Sequence, residues 1–178
     1  MQVNASLRKW CKVMTLLCFL LAVAAPLTAA SIWIWPDWFR THWGVFDGLP
    51  YPATGLSSGQ RVAGILLGLF YAGVTGVALM RLAAIFREFS EGRAFSGYAV
   101  QSFRIFAVLM FGLAFAEPVV EAAQGVVLSW NAGEGERIFA LTFRAEELRN
   151  LLFAFLLMVL ASAFQHAHVL ADEQAHIL

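Results

Sequence analysis

Charge is the property that this chain has least of. Asp, Glu, Lys and Arg make up 13% of its 178 residues, and the two signs cancel to a net charge of zero. A water-soluble domain of this length has too much surface to be covered by so few charged side chains. A neutral chain also lacks the basic surface with which proteins bind nucleic acid, so we expect no direct nucleic-acid binding.

Signatures of metal binding and catalysis are also scarce. The sequence contains no HExxH, no zinc-type spacing of Cys and His, and no phosphate-binding glycine loop. Its two cysteines, Cys11 and Cys18, are seven positions apart. On one helix that separation is roughly 10 Å, which is too far for a disulfide, so both are predicted to be buried or interfacial thiols. With no recognisable nucleophile, base or metal site, we expect no enzymatic activity and no cofactor.

Apolar residues, in contrast, make up 60% of the chain, and its mean hydropathy is +0.71. A helix of about 20 apolar residues crosses the hydrocarbon core of a bilayer. Four segments meet that length, over residues 13–35, 62–81, 104–126 and 148–170. The sequence therefore predicts an all-α integral membrane protein, one domain over residues 1–178 with four transmembrane helices.

The first span has a competing interpretation as a cleaved signal peptide, because small residues near Ala30 resemble a cleavage site. Apolarity continues past that point, which favours a retained span with a bend at Pro26. Residues 35–61 are rich in Trp, Phe, Gly and Pro and are predicted to form a loop. Five tryptophans lie at or beyond the outer ends of the spans, at positions 33, 35, 38, 43 and 130. We expect them to form an aromatic belt in the lipid headgroup layer, with a stacking platform for a sugar or headgroup as the alternative.

Residues 81–104 form a net-basic connector between the second and third spans. At 100° per residue, Leu82, Ile85, Phe86 and Phe89 share one face, and Arg87, Glu88 and Glu91 share the opposite face. This pattern predicts an amphipathic helical extension that ends at Gly92, with Ser96 capping the next helix. Positive charge marks the cytoplasmic side of membrane proteins. The connector and the segment before the first span together carry seven basic residues, and the loops on the other side carry five. Both termini are therefore predicted to be cytoplasmic.

Small residues recur at every fourth position of the second span, at Gly64, Gly68, Ala72 and Gly76. Such a ridge lets another helix approach backbone to backbone in lipid. We expect a helix-packing face, whose partner lies either in this chain or in a second copy.

Glu117 is the one carboxylate expected within the hydrocarbon layer. An ionised carboxylate is costly there, so it should face other helices and either pair or stay protonated. Glu121 lies on the same face one turn further on, and Arg149 and Asn150 are the best placed partners on the fourth span. Pro118 deprives the Ala114 carbonyl of its helical donor.

The last helix ends in a polar tail in which His168, Asp172 and His176 follow one another at every fourth position. Adjacent members could share a metal ion, but the outer two are roughly 12 Å apart along the axis. A polar cap on an apolar helix is the favoured interpretation.

The connector resembles the cytoplasmic loop of the bacterial membrane family named domain of unknown function 2975. The shared motif is Phe86, Phe89, Gly92, Arg93, Phe95 and Ser96; the closing helix is also similar, through Phe164, Leu170, Glu173 and Ile177. The likeness covers residues 60–178, and the chain departs from it in the Glu-Pro of span three and in a tail without Lys or Arg. It implies a four-span protein of the bacterial inner membrane and, by family habit, a small helix-turn-helix regulator as partner.

Three functions remain open. The first is a non-catalytic accessory or regulatory membrane protein that acts through helix packing, as a homo-oligomer or with another membrane protein. The second is a small proton- or ion-linked transporter built around Glu117. The third is a membrane-bound metalloenzyme that uses the histidine-rich tail.

Overall fold

A computed structural model describes residues 5–45, 55–93, 96–131 and 145–176, without the side chains of residues 5, 168 and 170–176. These ranges contain five helices and no strand: α1 (Ala5–Ile34), α2 (Pro36–Trp43), α3 (Ser58–Ser90), α4 (Gly97–Leu128) and α5 (Ala145–His176). All but α2 are long and apolar enough to cross a membrane. For the described residues this confirms the prediction of an all-α chain with four membrane-length helices.

The short helix α2 is a correction, because the sequence predicts only a loop over residues 35–61. Pro36 stands at the first helical position, where a proline costs no hydrogen bond and its φ is already helical. Gly44 ends the helix in the left-handed conformation, φ 63°, and its N–H bonds the carbonyl of Arg40 at 3.1 Å. The abundance of Trp, Gly and Pro in this stretch suggests a loop but also supplies both ends of a helix.

Helix α3 joins the second span and the amphipathic extension in one rod of 33 residues, which is about 50 Å long. Gly92 follows it with φ 80°, and the Ser96 hydroxyl accepts a hydrogen bond from the Ala99 N–H at 3.1 Å. The predicted helix end and the predicted cap are both confirmed. Helix α1 continues through Pro26, and α4 continues through Pro118.

The long helices stand in a row rather than in a closed bundle. Helix α1 packs on α3, α3 on α4, and α4 on α5; among the described residues no backbone contact joins α1 to α4 or α5, or α3 to α5. Within the described residues, each end helix therefore has one neighbour at backbone-contact distance. Its other faces are apolar and exposed, as at Leu16, Leu20 and Val23 of α1 and at Leu152, Leu156 and Val159 of α5.

Two apolar clusters hold the row together at opposite ends. Trp33, Leu56, Val127 and Leu128 form one; Ala78, Ile85 and Phe106 form the other. Trp33 is only 2% exposed, so the expectation that it belongs to an aromatic belt is wrong. Its ring is covered by α3, whereas the other four tryptophans of the proposed belt are exposed. Both cysteines are buried, as predicted.

Candidate functional site

The strongest candidate for a functional site is a polar cluster where α4 meets α5. The Asn150 side-chain amide donates a hydrogen bond to Glu117 Oε2 at 3.1 Å. Glu117 is half-buried between the helices, and Pro118 beside it is buried. The carboxylate is therefore held by an uncharged donor from the neighbouring helix.

A cavity of about 390 Å³ opens beside this pair. Tyr71 and Thr75 of α3 form its other wall, and both also line a second cavity of about 300 Å³ that extends to Thr28 of α1 and Gln124 of α4. The Thr75 hydroxyl donates to the Tyr71 carbonyl at 3.0 Å. Polar side chains from all four long helices thus line two cavities that share Tyr71 and Thr75.

The lining of the cavity is apolar towards the connector end of the row. Leu157 lines the cavity and also packs on the cluster of Ala78, Ile85 and Phe106. These side chains offer no hydrogen-bonding group. In this conformation the polar region around Glu117 therefore stops at an apolar layer.

Of the other residues predicted for this site, Glu121 is half-buried on α4, and both it and Glu117 lie within electrostatic range of Tyr71. Arg149 lies elsewhere, in a groove with Phe111 and Phe115. Successive positions on a helix point about 100° apart, so Arg149 and Asn150 cannot both face Glu117. The structure joins the amide of Asn150, and not the guanidinium, to the carboxylate.

The small-residue face of α3 lies against α1. A Cβ built on Gly64 would be 2.2 Å from the Trp33 ring, one on Gly68 would be 3.5 Å from Ala29 Cβ, and one on Gly76 would be 3.2 Å from the Ala22 carbonyl oxygen. Gly64, Gly68, Ala72 and Gly76 are all buried. The face that the sequence singles out is thus occupied by a helix of the same chain.

Gly76 also meets a carbonyl that the helix itself leaves without a donor. Pro26 has no N–H, so the Ala22 carbonyl four residues earlier receives no helical hydrogen bond from it. A glycine lets this oxygen approach the neighbouring backbone, where weak Cα–H···O contacts are common between helices. The proline of α1 and the glycine of α3 therefore act as a matched pair.

The connector is closed by an ion pair. Glu88 accepts hydrogen bonds from Arg93 Nε at 3.0 Å and Nη2 at 2.8 Å, and from the Ser96 hydroxyl at 2.8 Å. Arg93 also bonds Glu91. The hydrogen bonds to Glu88 and then Glu91 raise the pKa of the Arg93 guanidinium above its ordinary value, so this residue stays charged.

The burial of Glu88 is a second correction. The helical pattern predicts Glu88 on an exposed polar face with Arg87 and Glu91, but Glu88 is only 8% exposed. The left-handed turn at Gly92 brings Arg93 back over the end of α3, where it covers the carboxylate. Glu88 is buried by Arg93, which lies beyond the end of the helix, so helical periodicity alone does not predict this burial.

The aromatic residues of the family-like motif come together across the row. Phe86 and Phe89 line a cavity of about 220 Å³ with Phe103 of α4 and Phe164 of α5. The rings of Phe103 and Phe164 meet edge to face, with their centroids 5.4 Å apart. Phe95 lies outside the described residues, and so do the side chains of Leu170, Glu173 and the candidate metal ligands His168, Asp172 and His176.

Sequence reasoning missed Gln60 entirely. Gln60 is 5% exposed, and its side-chain amide donates to the carbonyls of Val127 at 2.9 Å and Leu128 at 3.1 Å, while its oxygen accepts from the Ser57 N–H and from Asn131. Gln60 thus ties the start of α3 to the last carbonyls of α4. The capping-box spacing of Ser57 and Gln60 signals the local half of this network.

Ser57 also belongs to Gly55-Leu56-Ser57-Ser58-Gly59, which has the letters of a GxSxG nucleophile motif that sequence reasoning overlooked. The structure gives this serine another task. Its hydroxyl donates to Gln60 Oε1 at 3.0 Å and accepts from the Gln60 N–H, so it caps α3. Among the described side chains, no group of three His, Cys, Asp or Glu could hold a metal ion.

No protein-family model, curated protein or solved structure matches this chain. The resemblance to the family named domain of unknown function 2975 therefore stays a prediction.

Proposed function

We propose that this chain is a non-catalytic multi-pass membrane protein that acts through contacts with another protein inside the membrane, as an accessory or regulatory subunit. The observation that carries the proposal is the open row. Among the described residues, helices α1 and α5 each have one neighbour at backbone-contact distance, and both turn long apolar faces outwards. The glycine face is already filled by α1, so we place the partner on one of the end helices, which have the fewest neighbours in the row.

The proposed orientation places both termini in the bacterial cytoplasm. The contacts of Gly64 with Trp33 and of Gln60 with Val127 set the registers of the antiparallel neighbours. In these registers Lys12, Arg81 and Arg104 lie within about one helical turn of each other. Arg61 is 20 residues further along α3, or about 30 Å, which is the thickness of the hydrocarbon core. One plane of basic residues thus supports a common inner boundary.

Reporter fusions test this orientation. We expect alkaline phosphatase to be inactive at Leu178 and active at Gly55. The reverse pattern would overturn the topology.

Photocrosslinking in native membranes tests the docking proposal. A photoreactive residue at Leu156 of α5 or Leu20 of α1 should form an adduct with one defined membrane protein or with a second copy of the chain, identified by mass spectrometry. Phe70 of α3 is the matched control, because it is 71% exposed but lies on a helix with two neighbours. Adducts with lipid alone at both end helices, or the same adducts at Phe70, would contradict the proposal.

Transport linked to Glu117 is the second candidate, supported by the hydrogen bond from Asn150 and the cavity beside it. Measured from the proposed inner boundary at Arg81, the Glu117–Asn150 pair lies about 17 Å into the membrane, near the midplane. Proton uptake into vesicles that Glu117→Gln abolishes and Glu91→Gln preserves would support it; equal uptake by the two variants would exclude it. A helix-turn-helix partner and a metal site in the tail remain predictions from the sequence.

A further inference from the structure

The two cavities that share Tyr71 and Thr75 extend from the level of Glu117 towards the α2 end of the row. The larger, of about 390 Å³, lies beside Glu117. The smaller, of about 300 Å³, is also lined by Trp33, near the end of α1, and by Val45, which follows α2. Their linings together lead from the middle of the row to one of its ends.

The register between α3 and α4 shows how far this polar lining extends. Gln60 of α3 bonds the Val127 carbonyl of α4, and the two helices run antiparallel. Counted from this bond, Tyr71 and Glu117 lie at about the same level. Gln124 lines the smaller cavity seven residues nearer the α2 end, which is about 10 Å along the axis. Polar groups therefore line the half of the row between Glu117 and α2.

The half of the row towards the connector is different. Leu157 lines the larger cavity there and packs on the cluster of Ala78, Ile85 and Phe106. None of these side chains carries a hydrogen-bonding group. The surroundings of Glu117 are thus polar on one side and apolar on the other.

Glu117 needs more hydrogen-bond partners than the protein gives it. A carboxylate offers about four acceptor positions, and within the described residues its one hydrogen bond comes from Asn150. Ala114 lines the same cavity, and its carbonyl lacks a helical donor because Pro118 has no N–H. A lipid acyl chain would leave these acceptors unpaired, which is costly. Both cavities are many times larger than the roughly 30 Å³ that one water molecule occupies.

We propose that water fills both cavities and joins Glu117 to the aqueous phase on the side of the membrane where α2 lies, the α2 side. The apolar layer at Leu157 separates Glu117 from the opposite side, the connector side. Water donates to the remaining positions of the carboxylate and to the Ala114 carbonyl. The inference deepens the second candidate function, transport linked to Glu117, and rests on it for one consequence: a proton taken up by Glu117 enters from the α2 side.

Cysteine accessibility in sealed membrane vesicles tests the proposal. Single cysteines replace Thr75 or Gln124 in a full chain that carries Cys11→Ala and Cys18→Ala. A charged, membrane-impermeant methanethiosulfonate reagent is added on one side of the vesicles. We expect both Thr75→Cys and Gln124→Cys to react from the α2 side and neither to react from the connector side.

Gly73→Cys is the matched control, because it lies two residues from Thr75 on α3 and a Cβ there meets no atom within 4 Å. We expect Thr75→Cys to react at least about tenfold faster, since the reaction needs a thiolate and hydrocarbon excludes both the thiolate and the charged reagent. Gly59→Cys at the start of α3 and Gln101→Cys on α4 are exposed, and they report which side the reagent has reached.

Three outcomes would overturn the proposal: equal rates for Thr75→Cys and Gly73→Cys, reaction of Thr75→Cys from the connector side, or reaction of Gln124→Cys alone, which would show that water stops short of Glu117. Labelling after unfolding in detergent shows that every cysteine is present. If Thr75→Cys melts early, Thr28→Cys takes its place, because it lines the smaller cavity at nearly the same level. Access is measured without transport, so a failure of proton uptake would exclude the second candidate and leave this result unchanged.

Discussion

Replacing Gly64 with alanine is expected to lower the free energy of unfolding by about 2 kcal/mol, and the melting temperature in detergent by roughly 5 °C. The new methyl group would lie 2.2 Å from the Trp33 ring, well inside van der Waals contact. Trp33 is 2% exposed and packs in a cluster with Leu56, Val127 and Leu128. Its ring therefore cannot move away from the new methyl group without displacing these side chains. Thermal denaturation in one detergent at fixed protein concentration measures the effect.

Gly73→Ala is the control on the same helix. A Cβ on Gly73 meets no atom within 4 Å, so this variant gains the helix propensity of alanine without a clash. Gly68→Ala should fall between the two, because its methyl group would be in ordinary contact with Ala29 at 3.5 Å. Equal melting temperatures for the Gly64 and Gly73 variants would show that α1 does not pack on this face.

Gln60→Glu is expected to destabilise the chain by about 3 kcal/mol, the largest effect that we predict for a change of so few atoms. The carboxylate can still accept hydrogen bonds from the Ser57 N–H and from Asn131, as glutamate does in a capping box. It cannot donate to the carbonyls of Val127 and Leu128, so the buried Leu128 carbonyl loses this donor and the Val127 carbonyl keeps only its longer hydrogen bond from the Trp130 N–H, at 3.4 Å. The loss therefore reports the link between α3 and α4 rather than the cap.

Two variants isolate that link in the same unfolding measurement. Ser57→Ala removes the side-chain cap alone and should cost about 1 kcal/mol. Gln101→Glu makes the same chemical change at an exposed position of α4 and should have little effect. If Gln60→Glu is no less stable than Ser57→Ala, the amide does not hold the two helices together.

Much of the fold could be predicted from the sequence, because local physics decides it. A charge-free run of about 20 residues specifies a membrane-length helix, since every backbone group must find a partner within the segment. Gly92 and Ser96 mark a helix end and a cap by their own conformational preferences. The small residues at every fourth position of α3 likewise predict a helix-packing face, but they do not identify the helix that packs on it.

Tertiary structure decided which groups meet across helices. The sequence allowed either Arg149 or Asn150 as a partner for Glu117, and the rotation of α5 about its axis selected Asn150. The sequence pattern predicted Trp33 in an aromatic belt, but α3 covers its ring. The same kind of pattern predicted Glu88 on an exposed polar face, but Arg93 covers its carboxylate. Gln60 found its acceptors 67 and 68 residues away, a distance that no local pattern records.

The membrane-length helices are therefore properties of the sequence alone. Each helix makes its own backbone hydrogen bonds and presents apolar side chains to lipid without needing a neighbour. The order α1–α3–α4–α5, the antiparallel registers and the polar contacts between neighbours are properties of the packed row. They depend on how small and large side chains of different helices fit together, and that fit exists only once the helices are side by side.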